Sequence, residues 1–159
     1  MIGDVVMPEP AVKPENIHGT AILIGERGVL ITGPSGAGKT TLALTLIDHC
    51  RARGLFSRLI GDDRLLAMTH GGRLVCRVPA TIAGLAEVPG FIPRPLPFEP
   101  GGVIDLNVRL VPPAEMARFQ EEIREPVAGC LVPRVDLAER NAATALPAVM
   151  ARLSIAPFL

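Results

Sequence analysis

The sequence predicts an α/β domain with a mixed sheet and flanking helices, and three observations carry that prediction. Two short β-branched runs read as a hairpin, a glycine-rich loop follows the second run directly, and the segment after the loop is free of Gly and Pro over a helix length. At 159 residues the chain has room for one such domain and not for a second. Its apolar residues are almost all Val, Ile, Leu and Ala, with no Trp or Tyr, so the expected core is aliphatic.

Residues 1–16 hold Pro8, Pro10 and Pro14 and no amphipathic period, and read as a flexible N-terminal tail or an arm for a neighbouring subunit. The single domain is expected over 17–159. Thr20-Ala21-Ile22-Leu23-Ile24 and Val29-Leu30-Ile31-Thr32, separated by Gly25-Glu26-Arg27-Gly28, form the hairpin. Thr40 to Arg53, apolar at Leu42, Ala43, Leu44, Leu46 and Ile47 and closed by Gly54, is a mostly buried helix. Arg58 to Gly61 reads as a strand delivering Asp62 and Asp63 at its end. Leu65–Met68 and Leu74–Val78 flank His70-Gly71-Gly72 as a second hairpin.

Pro79 to Val88 is a short helix or a loop. Pro89 to Gly102, with five prolines and three glycines, reads as an ordered functional loop or lid, or else a linker. Val103 to Leu110 alternates apolar and polar residues as a half-buried strand does. A short helix is expected from Pro112-Pro113 through Phe119, a strand from Gly129 to Val135, and a terminal helix from Ala138 to Leu153, interrupted or kinked at Pro147.

Sixteen basic and sixteen acidic residues cancel, which leaves no overall field to hold a nucleic acid or an anionic membrane. Stacking platforms for single strands are also missing. No run approaches the ~20 apolar residues of a membrane span, and the N-terminus lacks the form of a signal peptide, so a cytoplasmic location is expected. Cys50, Cys76 and Cys130 are widely spaced, without a metal-ligand pattern, and read as buried reduced thiols.

The chemistry centres on Gly33-Pro34-Ser35-Gly36-Ala37-Gly38-Lys39-Thr40. The oxygens of a triphosphate need donors unobstructed by side chains, and the glycines of this loop let backbone N–H groups turn toward them. The helix that starts here adds its positive end. Lys39 would neutralise the β and γ phosphates and Thr40 would ligate Mg²⁺, so the loop reads as a site for a nucleoside triphosphate, ATP with Mg²⁺. Asp62 and Asp63 are either a surface turn or a pair of carboxylates at the γ phosphate, one near the metal and one accepting a proton. His18 is a strand-end residue or a catalytic one. Glu87, alone in an apolar stretch, is solvated at an edge or is a metal ligand. Arg118 reads from its surroundings as a helix-surface arginine.

His18-Gly19, the loop fifteen positions later, Gly61-Asp62-Asp63-Arg64, and Ile82-Ala83-Gly84-Leu85-Ala86-Glu87-Val88 together resemble the catalytic domain of HPr kinase/phosphorylase, in a short form without the usual N-terminal domain. The likeness covers roughly residues 17 to 111. It implies a fold related to phosphoenolpyruvate carboxykinase, and ATP-dependent phosphorylation of a serine on HPr, a small phosphocarrier protein of the sugar phosphotransferase system. It also implies the reverse, phosphorylase reaction, and a homo-oligomer of the hexameric kind. By position, Lys39 would bind phosphate, Thr40 and Glu87 would hold Mg²⁺, Asp63 would be the proton acceptor assisted by Asp62, and His18 would orient Asp63 or the phosphate. Arg118 takes the place of a further active-site arginine. Pro89 stands where many members of that family carry an arginine, and Arg140-Asn141 echoes their C-terminal segment. A kinase for another acceptor and a non-catalytic ATP-sensing module are the competing readings.

Overall fold

The computed structural model describes residues 13–158. Most of the expected tail, residues 1–12, lies outside the described residues. The tail's last two positions do not behave as one, because Glu15 and Asn16 open strand β1 (Glu15–His18). The hairpin follows as β2 (Thr20–Ile24) and β3 (Arg27–Thr32), and the helix as α1 (Lys39–Ala52). Then come β4 (Ser57–Gly61), β5 (Arg64–His70) and β6 (Arg73–Arg77), and the two-residue strands β7 (Leu85–Ala86) and β8 (Arg94–Pro95). The chain closes with β9 (Gly101–Val111), β10 (Ile123–Val127), β11 (Cys130–Ala138) and α2 (Ala142–Arg152).

Among the described residues the main sheet runs β1-β5-β6-β9-β3-β2-β4, with the β10–β11 hairpin joined to β9 through β11. It is mixed, as expected: β3 and β11 both run parallel to β9, and the remaining pairs are antiparallel. The long β9 makes this possible, since its first half pairs with β6 and its second half with β11 along the same edge.

The apolar runs of β2 and β3 are nearly continuous because both faces are covered. Ile22, Ile24, Val29 and Ile31 face one core with Leu42, Ala43 and Leu46 of α1 and Val149 and Met150 of α2. Ala21 and Leu30 point the other way, into a second core with Ile60, Leu65, Leu74 and Cys76. Gly28 marks a point where a side chain has no room. A Cβ there would lie 2.0 Å from the Val103 carbonyl oxygen, at the place where the β3–β9 register shifts. The three cysteines are free and buried, as expected, and burial pushes the Cys76 thiol up to about 12.

Several expectations need correction, each for a physical reason. Pro89–Gly102 is not a linker: β7 pairs with β8, the Leu96 N–H donates to the Gly84 carbonyl at 2.9 Å, and Phe98 packs on Gly84. Its last residues, Gly101 and Gly102, already belong to β9. A Cβ on Gly102 would meet Leu23 at 2.9 Å, so this glycine serves close packing within a strand and not a turn. The strand β10 went unread because it is a mostly exposed edge carrying Pro126. Only Pro113–Glu115 of the expected helix forms, as a single 3₁₀ turn. Ala138 ends β11, and the last helix starts later, at Ala142, where the Asn141 side chain accepts from the Thr144 N–H. That helix runs without interruption through Pro147. No described helix is long and apolar enough to cross a membrane.

Candidate active site

The glycine-rich loop spans the gap between β3 and α1. Gly36 and Gly38 hold φ of +81° and +90°, the left-handed region that glycine tolerates without steric cost, and Gly38 is the residue from which α1 starts. No side chain caps α1, so its first N–H groups have no side-chain partner. Lys39 is only 8% exposed, and its ammonium donates to the loop's own carbonyls, Gly33 at 2.9 Å and Pro34 at 3.1 Å. The loop therefore closes around its lysine.

Asp62 sits opposite, at the end of β4, and is buried. Its Oδ1 accepts from the Thr40 hydroxyl at 2.8 Å and from the Thr20 hydroxyl at 2.7 Å, and its Oδ2 accepts from the Glu87 N–H at 2.9 Å. Both oxygens of the buried side chain are therefore met by hydrogen-bond donors. The same residue thus ties together the loop end, β2 and the segment after β7.

Asp63 turns the other way. Its φ of +72° is unusual for a residue with a side chain, and the strain is held by the backbone: the Gly19 N–H donates to its carbonyl at 3.1 Å. In the antiparallel pairing of β1 with β5, His18 lies opposite Arg64, which brings His18 Nδ1 to 3.3 Å from Asp63 Oδ1. Both side chains remain open to solvent.

His18, Lys39, Thr40, Asp62, Asp63 and Glu87 all line one cleft of about 380 Å³, together with Ser35, Gly36 and Gly38 of the loop. Arg118 is not among the lining residues; it follows the 3₁₀ turn and lies over the ring of Phe119, at 5.4 Å from its centre. The arginine in the cleft wall is Arg140, whose N–H donates to the Ala37 carbonyl at 2.9 Å. Pro89 is part of the wall as well. Beneath the loop, Arg109 on β9 grips Asp136 on β11 with bonds of 3.0 and 2.7 Å, and that contact raises the guanidinium above its ordinary value.

One residue behind the cleft escaped sequence reasoning. Thr20 opens the apolar run of β2 and is fully buried, where its hydroxyl needs an acceptor and finds it in Asp62. Arg140 was visible only through the resemblance of Arg140-Asn141 to the family's C-terminal segment, and its contact with the loop joins residues far apart in sequence.

Among the described residues no three His, Cys, Asp or Glu side chains converge as a protein-only metal cage. The oxygen groups facing the cleft, the Thr40 hydroxyl and the carboxylates of Asp62 and Glu87, fit a hard cation that completes its shell with phosphate oxygens and water. This is the usual arrangement for Mg²⁺ in phosphoryl-transfer sites.

Fold and cleft define an α/β domain built on a strand, a glycine-rich loop and a helix, with a carboxylate pair facing the loop. Comparison with known proteins gives the family. The HPr Serine kinase C-terminal domain profile matches residues 11–92, just over half of the sequence, and the chain belongs to that family. A protein named HPr kinase/phosphorylase from Clostridium beijerinckii is 36% identical over 90 residues, covering 57% of this chain and 26% of the relative. One of the same name from Lactobacillus acidophilus is 35% identical over 138 residues, covering 79% of this chain and 41% of the relative. The chain thus spans less than half the length of these relatives. A solved structure titled Hpr(Ser) kinase/phosphatase, from Coxiella burnetii, superposes with a TM-score of 0.73 at 23% identity over 87% of this chain and 95% of that one, a likeness of fold.

Proposed function

We propose that this chain is an ATP-dependent protein-serine kinase whose acceptor is the phosphocarrier protein HPr. The observation that carries the reading is the pair of carboxylates with divided roles across from the loop: a buried, fully bonded Asp62 and an exposed, strained Asp63 held by His18. Phosphoryl transfer asks little covalent chemistry of a protein, and mostly positioning and charge stabilisation.

The loop amides and the N-terminus of α1 hold the phosphates. Lys39 exchanges the carbonyls of Gly33 and Pro34 for the β and γ phosphate oxygens, a short movement with the same donor. Mg²⁺, when bound, offsets the charge of the β and γ phosphates; Thr40 and Glu87 would hold it, with Asp62 fixing both. Asp63 accepts the proton of the attacking serine hydroxyl, and His18 keeps its carboxylate aimed. The exposure of this pair suits a substrate as large as a protein, whose hydroxyl must reach the base from outside. The family name shared with the curated relatives supports HPr as the acceptor.

The test is direct. Wild-type protein incubated with labelled ATP, Mg²⁺ and HPr should yield phosphoserine, and Asp63→Asn should not. Label on HPr that is no higher with wild type than with Asp63→Asn would sink the proposal. ATP turnover with other hydroxylated acceptors but not with HPr would keep the kinase and discard the acceptor.

A further inference from the structure

A second pocket of about 220 Å³ lies against the phosphate cleft, and Gly38, Thr41 and Arg140 line both. Its character differs. Beyond the common wall it is bounded by Leu42, Leu110, Ala142 and Ala145, so an apolar floor is left open by small side chains at the start of α2. Pockets of this kind, apolar with a few placed polar groups, are how proteins bury flat ring systems.

We propose that this pocket receives the purine base of the nucleotide whose phosphates occupy the loop; the inference rests on the triphosphate reading and names the other half of that ligand's site. The direction of the ligand follows from the loop. Lys39, Asp62 and Asp63 gather at the end where the transferred phosphoryl group belongs. The loop amides cradle the α and β phosphates. The rest of the nucleotide must leave past the start of α1, where Gly38, Thr41 and Arg140 stand, and the apolar pocket opens at that point.

Arg140 is built to sit there. Its φ of +54° is stabilised by the N–H bond to the Ala37 carbonyl, and its backbone packs on Gly38, where a Cβ would come within 3.6 Å. The guanidinium, held by Glu139 at 2.8 Å, is exposed and planar, a surface on which an aromatic base stacks. Asn141 uses its carbonyl oxygen to cap α2, which leaves its amide N–H groups for ring nitrogens of the base.

Tripolyphosphate carries the phosphates without a base and separates the two halves of the site. In calorimetric titrations with Mg²⁺, Ala142→Phe, which fills the pocket, should weaken ATP at least ~10-fold while tripolyphosphate stays within about twofold. Unchanged ATP affinity, or an equal loss for both ligands, would overturn the proposal. A measurement on the unaltered protein guards against a variant that fails to fold. Irradiating the protein methyl groups should transfer saturation to the adenine H2 and H8 protons of bound ATP, because Leu42, Leu110, Ala142 and Ala145 supply methyls around the ring. Bound ATP with no transfer to those protons overturns the pocket alone. Wild type that binds neither ATP nor tripolyphosphate sinks the triphosphate reading itself, so the two failures are distinguishable.

Discussion

Replacing Asp62 by asparagine removes a charge and leaves the side chain's shape nearly intact. The new amide has two orientations. With its carbonyl toward Thr20 and Thr40 it keeps both hydroxyl bonds, but its NH₂ then meets the Glu87 N–H, donor against donor. With its carbonyl toward Glu87 it must donate to both hydroxyls, which uses a lone pair of Thr40 and turns the Thr40 proton into the cleft. A hydrogen bond to a charged group contributes about 1.5–3 kcal/mol and a neutral one about 0.5–1.5, so converting three of them costs on the order of 3 kcal/mol. For a chain of this size each kcal/mol moves the melting temperature by roughly 2–4 °C, giving an expected fall of about 6–12 °C. Thermal denaturation followed by circular dichroism measures this. The second orientation also directs a proton at any cation beside Thr40, so Mg²⁺-dependent strengthening of ATP binding should disappear in calorimetry. A variant melting within about 2 °C of wild type and binding Mg·ATP as well as wild type would refute the account of Asp62.

Further outcomes follow from other sites. Lys39→Ala should abolish ATP binding, and binding at wild-type affinity would remove the loop assignment. Gly28→Ala pushes a methyl into the Val103 carbonyl and should cost about 3 kcal/mol, whereas Gly71→Ala, with open space around it but a positive φ, should cost only about 1 kcal/mol; equal melting temperatures would contradict the close approach of β3 and β9. Cys76 makes stability sensitive to alkali. Its thiol is raised from an ordinary 9.0 to about 12 by burial, so between those values the unfolded chain holds fewer protons than the folded one. Its contribution is complete below pH 9.0 and falls as pH rises, by about 2.5 kcal/mol at pH 11. The chain has no Tyr and only two lysines, but burial raises Cys50 as well, so Cys76→Ala should reduce the alkaline loss of stability and not abolish it in denaturant titrations at stepped pH.

The loop, the hairpin before it and the helix after it were legible because each is written in local terms: β-branched runs, glycines that need positive φ, a stretch without breakers. Asp62 and Asp63 were legible as a pair with separate expected roles, but not in how the fold sets the two side chains apart. That separation depends on Thr20, Thr40 and the Glu87 N–H meeting at one carboxylate, and on a backbone twist at Asp63, none of which has a sequence signature. Strands β1 and β10 were not legible because they are edges with exposed faces, where hydrophobic alternation is weak. The resemblance pointed to Arg118 as an active-site arginine, while the cleft is lined by Arg140, brought in by the turn between β11 and α2.

The short pairing of β1 with β5 acts as a gauge for the site. Four residues of β1 are matched to β5, and Ile17 is the one that packs into the second core, with His18 beside it on the open side. Since side chains alternate along a strand, a slip of one residue would carry His18 about 3.3 Å along the edge and swap its face with that of Ile17. The distance between the imidazole and Asp63 is thus set by how one isoleucine seats. Tension applied to the chain ahead of Glu15 would reach Asp63 through a shear of the four residues of β1.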